Sequence, residues 1–371
     1  MHILVVNAGS SSLKLRVLDP RDEVVASEDL PPPEGGRADD AIRRVVASLE
    51  PIDAVGHRIV HGGADFRTAV IIDDEVERRL AALVDLAPLH LPGSLWGLAA
   101  VHAALPGVPA VACFDTAFHG DLSAAAATYA LPAAWRRRWD LRRFGFHGLS
   151  HAFVSRRAAQ LMGRPLADLR IVTCHLGAGA SLAAVLGGRS VDTTMGFTPL
   201  EGLVMATRSG SVDPGLLLWL LEHGGMPPAE VAAALEGRSG LTGLAGTPDM
   251  RRILELEAAG DADARLAVDV YVHRLRAGIA AMTAAMDGLD CLVFTGGVGE
   301  NAAAIRHRAV AGLGFLGIEV DEARNAAARP DTEVTADGPG VRTFVIASRE
   351  DVEIAREVRR ILSEDRAGPP R

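Results

Sequence analysis

Lysine is almost missing from this chain: of its 38 basic residues only Lys14 is lysine, and the rest are arginine. Asparagine is nearly as scarce, with Asn7, Asn301 and Asn325 the whole supply. A coding bias that drains both residues accounts for the pattern. Under such a bias a surviving lysine is expected to do what arginine cannot, placing a compact point charge with three donors against a phosphate oxygen. The three cysteines, Cys113, Cys174 and Cys291, lie far apart in or beside apolar strand-like runs. That excludes a disulfide framework or a metal knuckle and suits a reducing compartment. No apolar run approaches the length of a membrane span. The N-terminal run His2–Val6 is too short for a signal sequence and leads into a Gly/Ser turn, so the expectation is a soluble, cytoplasmic protein. An excess of positive charge is missing too. A net charge of −9 gives no electrostatic reason to bind nucleic acid or anionic lipid, although small anions remain open to local Arg or Lys.

Two phosphate motifs are also absent. With a single lysine at position 14, no GxxxxGK[ST] loop exists. Leu182 and Ala302 stand where the third glycine of GxGxxG would follow Gly177-x-Gly179 and Gly297-x-Gly299.

What is present is ample core material. The chain has 371 residues, 49% of them hydrophobic and 23% charged, which favours two domains. Ile3–Val6 and Leu13–Leu18 read as strands joined by the turn Asn7–Ser12. Pro31–Asp40 reads as a surface loop. Further strands are expected at Ala54–Val60, Ala69–Ile72 and Val108–Phe114, with helices near Ala41–Leu49, Glu75–Leu86 and Ser94–Ala104. This alternation indicates an α/β architecture. A second hairpin follows: strand Ile171–Cys174, turn His175–Ser181, strand Leu182–Leu186. It repeats the first, a polar residue (Asn7, His175) leading into a small-residue turn, as a duplicated unit would. Later come an Ala-rich helix at Asp263–Asp287, strand Cys291–Phe294, the turn Thr295–Asn301, and a helix from Ala302. The chain closes with strand Thr343–Ile346, the turn Ala347–Asp351 and a last helix to about Leu362.

Three Gly-, Ser- or Ala-rich turns therefore follow buried strands, at Asn7–Ser12, Gly177–Ser181 and Gly296–Glu300. Small residues let backbone N–H groups approach a polyphosphate, and the expectation is phosphate held between hairpins. His147 and His151 have a spacing that can hold zinc on a helix, but no adjacent Glu and no clear third ligand accompany them. The stretch Arg136–Arg143, with Trp135 and Trp139, reads on an acidic chain as a helix face or an interface.

Longer motifs are more specific. Val6–Lys14, Gly56–Gly63, Phe114–His119, Gly145–His151, Cys174–Gly179, Gly196–Pro214 and Phe294–Asn301 resemble the acetate kinase family, in order, over nearly the whole chain. The resemblance implies an α/β, duplicated ribonuclease H-like (sugar kinase/Hsp70/actin) fold of two domains with an interdomain cleft. It implies transfer of the γ-phosphoryl group of ATP to acetate, with Mg2+, or Mn2+ in its stead. Asn7 and Glu350 would lie near the metal and Lys14 near the phosphates. Arg58 and Arg208 would clamp the acid's carboxylate and the migrating phosphoryl group, with Asp115 and His147 completing the catalytic set. His175, Leu176, Gly177, Ala178, Gly179, Asp249, Met250, Arg251, Gly296, Gly297, Val298, Gly299, Glu300 and Asn301 would form the nucleotide site. Val60, Leu89, Phe146 and Pro199 would line an apolar pocket for the methyl end of the acid. The domains implied are 1–118 with 352–371, and 119–351, the second making a homodimer.

The chemistry agrees with such a site. Carboxylate attack on a γ-phosphoryl group brings two anions together, so positive charge matters more than a strong base. Propionate or butyrate kinase, a sugar kinase and a non-catalytic actin-like nucleotide-binding protein remain alternatives at this stage. Two departures from the family's pattern bear on the nucleotide site. Ala178 replaces the usual Asn in His-Leu-Gly-Asn-Gly, and Arg349-Glu350-Asp351 replaces Asn-Glu-Glu.

Overall fold

The computed structural model describes residues 1–8, 13–30, 42, 45, 46, 51–86, 91–338 and 340–367. Residues 9–12 of the expected first turn, the expected loop at 31–40, most of the expected helix at 41–49, and Leu89 lie outside the described residues. The chain divides into two compact units. The first comprises Met1–Gly120, Phe146–Phe153 and Arg349–Arg371; the second comprises Asp121–Gly145 and Val154–Ser348.

The first unit is built on β1 (Ile3–Ala8), β2 (Leu13–Leu18), β3 (Val24–Leu30), β4 (Ala54–Ile59), β5 (Val70–Ile71) and β6 (Ala110–Phe114). They form one six-stranded sheet in the order β3-β2-β1-β4-β6-β5. β1, β2 and β3 pair antiparallel, β1, β4 and β6 run parallel, and β5 closes the edge antiparallel to β6. Side chains alternate between the faces of a strand. Ile3 and Val5 of β1, Ala54 of β4, and Val111 and Cys113 of β6 pack on one face against Ile354, Ala355, Val358 and Leu362. Those four form the apolar stripe of the C-terminal helix Glu350–Ala367. Gly56 belongs to the same face of β4. A Cβ there would lie 2.4 Å from Ile354 Cγ2 and 2.8 Å from Val358 Cγ2, so glycine is what admits the helix. Leu4 and Val6 turn to the other face, where Ala100 and Val101 of the Leu91–Ala104 helix cover them.

The second unit contains β7 (Arg170–Leu176), β8 (Ala180–Leu186), β9 (Arg189–Thr193), β10 (Cys291–Thr295), β11 (Thr332–Glu333) and β12 (Arg342–Val345). Their order is β11-β12-β10-β7-β8-β9, the first sheet read from its other edge. The pairing senses repeat as well: β7, β8 and β9 antiparallel, β7, β10 and β12 parallel, β11 antiparallel to β12. The Ala262–Ala284 helix buries Ala264, Ala267, Val268, Tyr271, Leu275, Ile279 and Met282, a continuous 3.6-residue stripe. Among the described residues no helix is long and apolar enough to cross a membrane.

Three strands, β3, β9 and the two-residue β11, escape the sequence reading. β3 lies at the sheet edge and is almost wholly exposed or half-buried, so no run of apolar residues marks it. Two turns also differ. The second hairpin turn is only residues 177–179, because His175 and Leu176 continue β7. The turn expected at Thr295–Asn301 is a short helix, Gly296–Asn301, bonded within itself.

Candidate active site

The alternation that builds the first core also places polar side chains. Continuing the series Ile3–Val5 and Ala54–Gly56 by two residues reaches Asn7 and Arg58, and continuing Val111–Cys113 reaches Asp115. All three stand at the C-terminal ends of adjacent parallel strands, where α/β sheets present their chemistry. Arg58 donates from Nε to Asp115 Oδ1 at 3.0 Å and from Nη2 to Asp115 Oδ2 at 2.6 Å, a bidentate pair. Its Nη1 donates to Asn7 Oδ1 at 3.2 Å and lies 3.5 Å from Glu350 Oε2, at the start of the C-terminal helix. The Asp115 side chain is 2% exposed, Arg58 19% and Glu350 16%, so Asp115 is the most deeply buried member of these ion pairs.

Burial raises the Asp115 carboxyl above its ordinary value, Arg58 opposes that rise, and Glu350 adds to it. Burial alone would lower the Arg58 guanidinium, but Asp115 and then Glu350 reverse this and raise it, so Arg58 stays charged. His57 on β4 contributes no charge at neutral pH, because burial pushes it down to about 3. His147 adopts a left-handed backbone, φ 56°, an uncommon conformation that its surroundings must hold. They do so through its neighbour. Gly148 donates its N–H to the Asp115 carbonyl at 2.8 Å, and a Cβ on it would meet that oxygen at 2.2 Å. Phe146 is buried and presents its ring edge-on to His61, 5.3 Å away and next in sequence to Val60. Lys14 is exposed and stands opposite Asn7 across β1–β2, and opposite Asp29 across β2–β3. Arg349 explains the altered C-terminal turn: it ion-pairs with Asp351 at 2.9 Å and donates to the Asp22 carbonyl, tying the helix start to the β2–β3 turn.

The second unit holds a cavity of about 650 Å3, inside the ~300–1,000 Å3 range of small-molecule sites. Gly177 and Ala178 of the hairpin turn border it, as do Asp249, Met250 and Arg251 and then Gly297, Val298 and Asn301. A Cβ on Gly297 would meet nothing within 4 Å, so this glycine borders open space. Leu176 is fully buried; Gly179, Gly296, Gly299 and Glu300 do not line the cavity. Gly296 instead presses on the Leu176 backbone, 2.9 Å from its carbonyl carbon for an added Cβ. Glu300 is turned inward, its Oε1 accepting the N–H groups of Gly296 and Ser348, both at 3.0 Å. The hairpin turn is partly self-satisfied, since Gly177 donates its N–H to the Gly179 carbonyl.

Sequence reasoning missed two parts of this region. Tyr271 borders the cavity with its hydroxyl buried and without a hydrogen bond among the described residues. The helical stripe through Val268 and Leu275 would have placed it facing the sheet. Arg306, 2% exposed, donates to the carbonyls of Gly299, Glu300 and Asn325 and to Asn325 Oδ1, at 2.7–2.9 Å. It thereby holds the C-terminal end of the Gly296–Asn301 helix with a guanidinium that burial lowers to about 10, still charged at neutral pH. Arg208, part-buried, donates to the Pro199 carbonyl at 3.1 Å and contacts Met205 Sδ at 3.8 Å. No carboxylate lies within ion-pair distance of it among the described residues, and burial lowers its guanidinium from the ordinary value.

The twice-repeated sheet order defines a duplicated ribonuclease H-like fold, the architecture of the sugar kinase/Hsp70/actin class. Residues 38–356 match the acetokinase family, and the chain belongs to it. An acetate kinase of Synechococcus sp. (strain JA-2-3B'a(2-13)) is 45% identical over 402 aligned residues, spanning 98% of this chain and 99% of the relative. The crystal structure of Porphyromonas gingivalis acetate kinase superposes with a TM-score of 0.90 at 37% identity, over 97% of this chain and 99% of that one. A propionate kinase from Francisella tularensis subsp. tularensis SCHU S4 superposes with a TM-score of 0.89 at 35% identity, over 96% and 98%.

Proposed function

We propose that this chain is an acetate kinase, transferring the γ-phosphoryl group of ATP reversibly and in line to the carboxylate of acetate, giving ADP and acetyl phosphate. The observation that carries the reading is the Arg58 cluster: a part-buried guanidinium held bidentately by Asp115 and flanked by Asn7 and Glu350. A fixed positive charge of this kind is what attack of one anion upon another requires. Asp115 serves chiefly to orient Arg58, because the acid is already ionised at neutral pH and offers no proton to remove. Arg208 supplies the second guanidinium; a part-buried cation with no carboxylate in ion-pair contact among the described residues suits an anionic substrate. His147 and Lys14 are assigned to the transferring phosphates, and Val60, Phe146 and Pro199 to the acid's alkyl end.

The cavity bordered by Gly177, Ala178, Asp249–Arg251, Gly297, Val298 and Asn301 is assigned to the nucleotide. The metal assignment rests on the donor set. Asn7, Asp115 and Glu350 offer only oxygen, and the described residues contain no group of three or more His, Cys, Asp or Glu able to hold a metal by themselves. That fits Mg2+, which is held mainly by phosphate and water with one or two carboxylates. When bound, Mg2+ neutralises charge on the phosphates; orientation of the acid and exclusion of competing anions fall to Arg58 and Arg208.

A homodimer formed through the second unit is proposed as well. The helix Pro214–Glu222 buries none of its residues and leaves Leu216, Leu218 and Trp219 47–57% exposed. The three buried thiols fit a cytoplasmic location.

Propionate kinase is the second reading, supported by the Francisella likeness; one methylene is worth only ~1–3 kcal/mol, so selectivity will be modest. Trapping the acyl phosphate with hydroxylamine, using ATP, Mg2+ and acetate, propionate or butyrate in turn, tests both. Highest kcat/KM with acetate is expected. Preference for propionate selects the second reading, and no acyl phosphate from any acid overturns both.

A further inference from the structure

Tyr129, Glu201 and Arg143 form a polar cluster in the second unit to which the reaction above gives no role. Tyr129 donates its hydroxyl proton to Glu201 Oε2 and accepts the N–H of Phe197 at 2.9 Å. Arg143 donates to Glu201 Oε1 at 2.8 Å, to the Met195 carbonyl at 2.9 Å and to the Thr194 carbonyl at 3.1 Å. Its guanidinium also stands over the Tyr129 ring, 5.6 Å from the centroid. The backbone between these points is pressed against the cluster. A Cβ on Gly196 would lie 1.7 Å from Glu201 Oε2 and 2.1 Å from the Tyr129 oxygen, while its carbonyl accepts the N–H groups of Phe144 and Gly145. The loop 194–201 is thus tied at Thr194, Met195, Gly196, Phe197 and Glu201. Only residues 198–200 run between the ties, and Pro199 sits at their centre.

Pro199 is where this cluster meets Arg208. Its carbonyl is the single oxygen acceptor of the Arg208 guanidinium among the described residues. The other side of Arg208 is fixed by backbone: Met205 donates its N–H to the Arg208 carbonyl, Leu241 to the Met205 carbonyl and Ser209 to the Leu235 carbonyl. The backbone of Arg208 is therefore set by the Met205–Ser209 loop, whereas its guanidinium is set by Pro199.

We propose that Tyr129, acting through Glu201, Arg143 and the Pro199 carbonyl, is a positioning residue that holds the Arg208 guanidinium in its working orientation. The inference rests on the reading of Arg208 as an anion clamp. Removing the Tyr129 hydroxyl orphans the Phe197 N–H and one Glu201 oxygen, loosening residues 197–200 while Arg143 still holds Glu201 Oε1. Displacement of a catalytic cation by about 1 Å is worth up to ~10²-fold in rate.

The experiment is a double-substitution cycle on the purified full-length protein, with Tyr129→Phe, Arg208→Lys and the pair, read as kcat, KM for each substrate, and Tm. Arg208→Lys is expected to lose ~10²-fold or more in kcat. Tyr129→Phe is expected to lose ~10- to 100-fold in kcat with the ATP KM within about twofold of the parent. Added to Arg208→Lys, it should cost nothing further. Full activity in Tyr129→Phe beside an inactive Arg208→Lys overturns the inference and leaves the clamp standing, and so do losses that multiply in the pair. Parental activity in Arg208→Lys overturns the clamp itself. Should Tyr129→Phe melt before assay, Glu201→Gln, of equal volume, replaces it in the same cycle with the same expectations.

Discussion

Replacing Arg58 by alanine separates the two jobs of the first cluster, because the structure gives each a different cost. Asp115 is 2% exposed and takes two of its hydrogen bonds from Arg58, so the variant leaves a buried carboxylate without its counter-charge. Breaking a buried pair in this way costs ~3–5 kcal/mol of stability, and the 19% exposure of Arg58 places this case at about the lower figure. Turnover should fall ~10³-fold, equivalent to about 4 kcal/mol of transition-state stabilisation. The two losses part company in a second variant. Arg58→Met with Asp115→Asn removes the orphaned charge, so most of the stability should return while turnover stays low. The pH dependence has a definite sign. Burial already raises the Asp115 carboxyl in the folded state, so its contribution is present below the unfolded carboxyl value and is lost as pH rises through the raised one. Without Arg58 the carboxyl rises further, so Arg58→Ala should lose more stability than the parent as pH climbs above the ordinary carboxylate range. Hydroxamate formation measures the turnover and thermal melts at several pH values measure the stability. Turnover within threefold of the parent in Arg58→Ala would refute the assignment, whatever the melt showed.

Further expectations concern the supports of both units. Gly56→Val should destabilise by ~1–3 kcal/mol or more, because even a Cβ overlaps Ile354 and Val358; Gly56→Val with Ile354→Ala should recover part of the loss in a thermal melt. Arg306→Met leaves the carbonyls of Gly299, Glu300 and Asn325 without their donor, costing on the order of 3 kcal/mol; the ATP KM should rise several-fold, and a parental KM would mean the Gly296–Asn301 helix holds its shape unaided. Tyr271→Phe removes a buried hydroxyl that has no partner, so Tm should stay level or rise by an amount worth ~1 kcal/mol; a marked fall would show that a partner engages the hydroxyl in solution.

Most strands were legible because they are apolar on both faces. β1, β4, β6, β7 and β10 announce themselves as buried runs, and two small-residue hairpins at the same place in each half betrayed the duplication before any sheet order was known. β3 was silent because an exposed edge strand needs no apolar pattern. The three asparagines all sit at polar junctions: Asn7 bonds Arg58, Asn301 borders the second-unit cavity, and Asn325 anchors Arg306. Lys14 is exposed opposite Asn7, where the register leaves its amine open to solvent.

What the chain determined by itself was the period-two register that carries Asn7, Arg58 and Asp115 to one face of one sheet, since alternation is a local property of the backbone. Tertiary structure alone decided which groups those side chains meet. The bidentate Arg58–Asp115 pair, the inward turn of Glu300, the burial of Arg306 and the Tyr129–Glu201–Arg143 cluster each join residues that are remote in sequence or turned away from their expected face. Hydrogen bonds and desolvation depend on distances of a few ångströms in space, and spacing along a chain of mostly interchangeable arginines does not encode them.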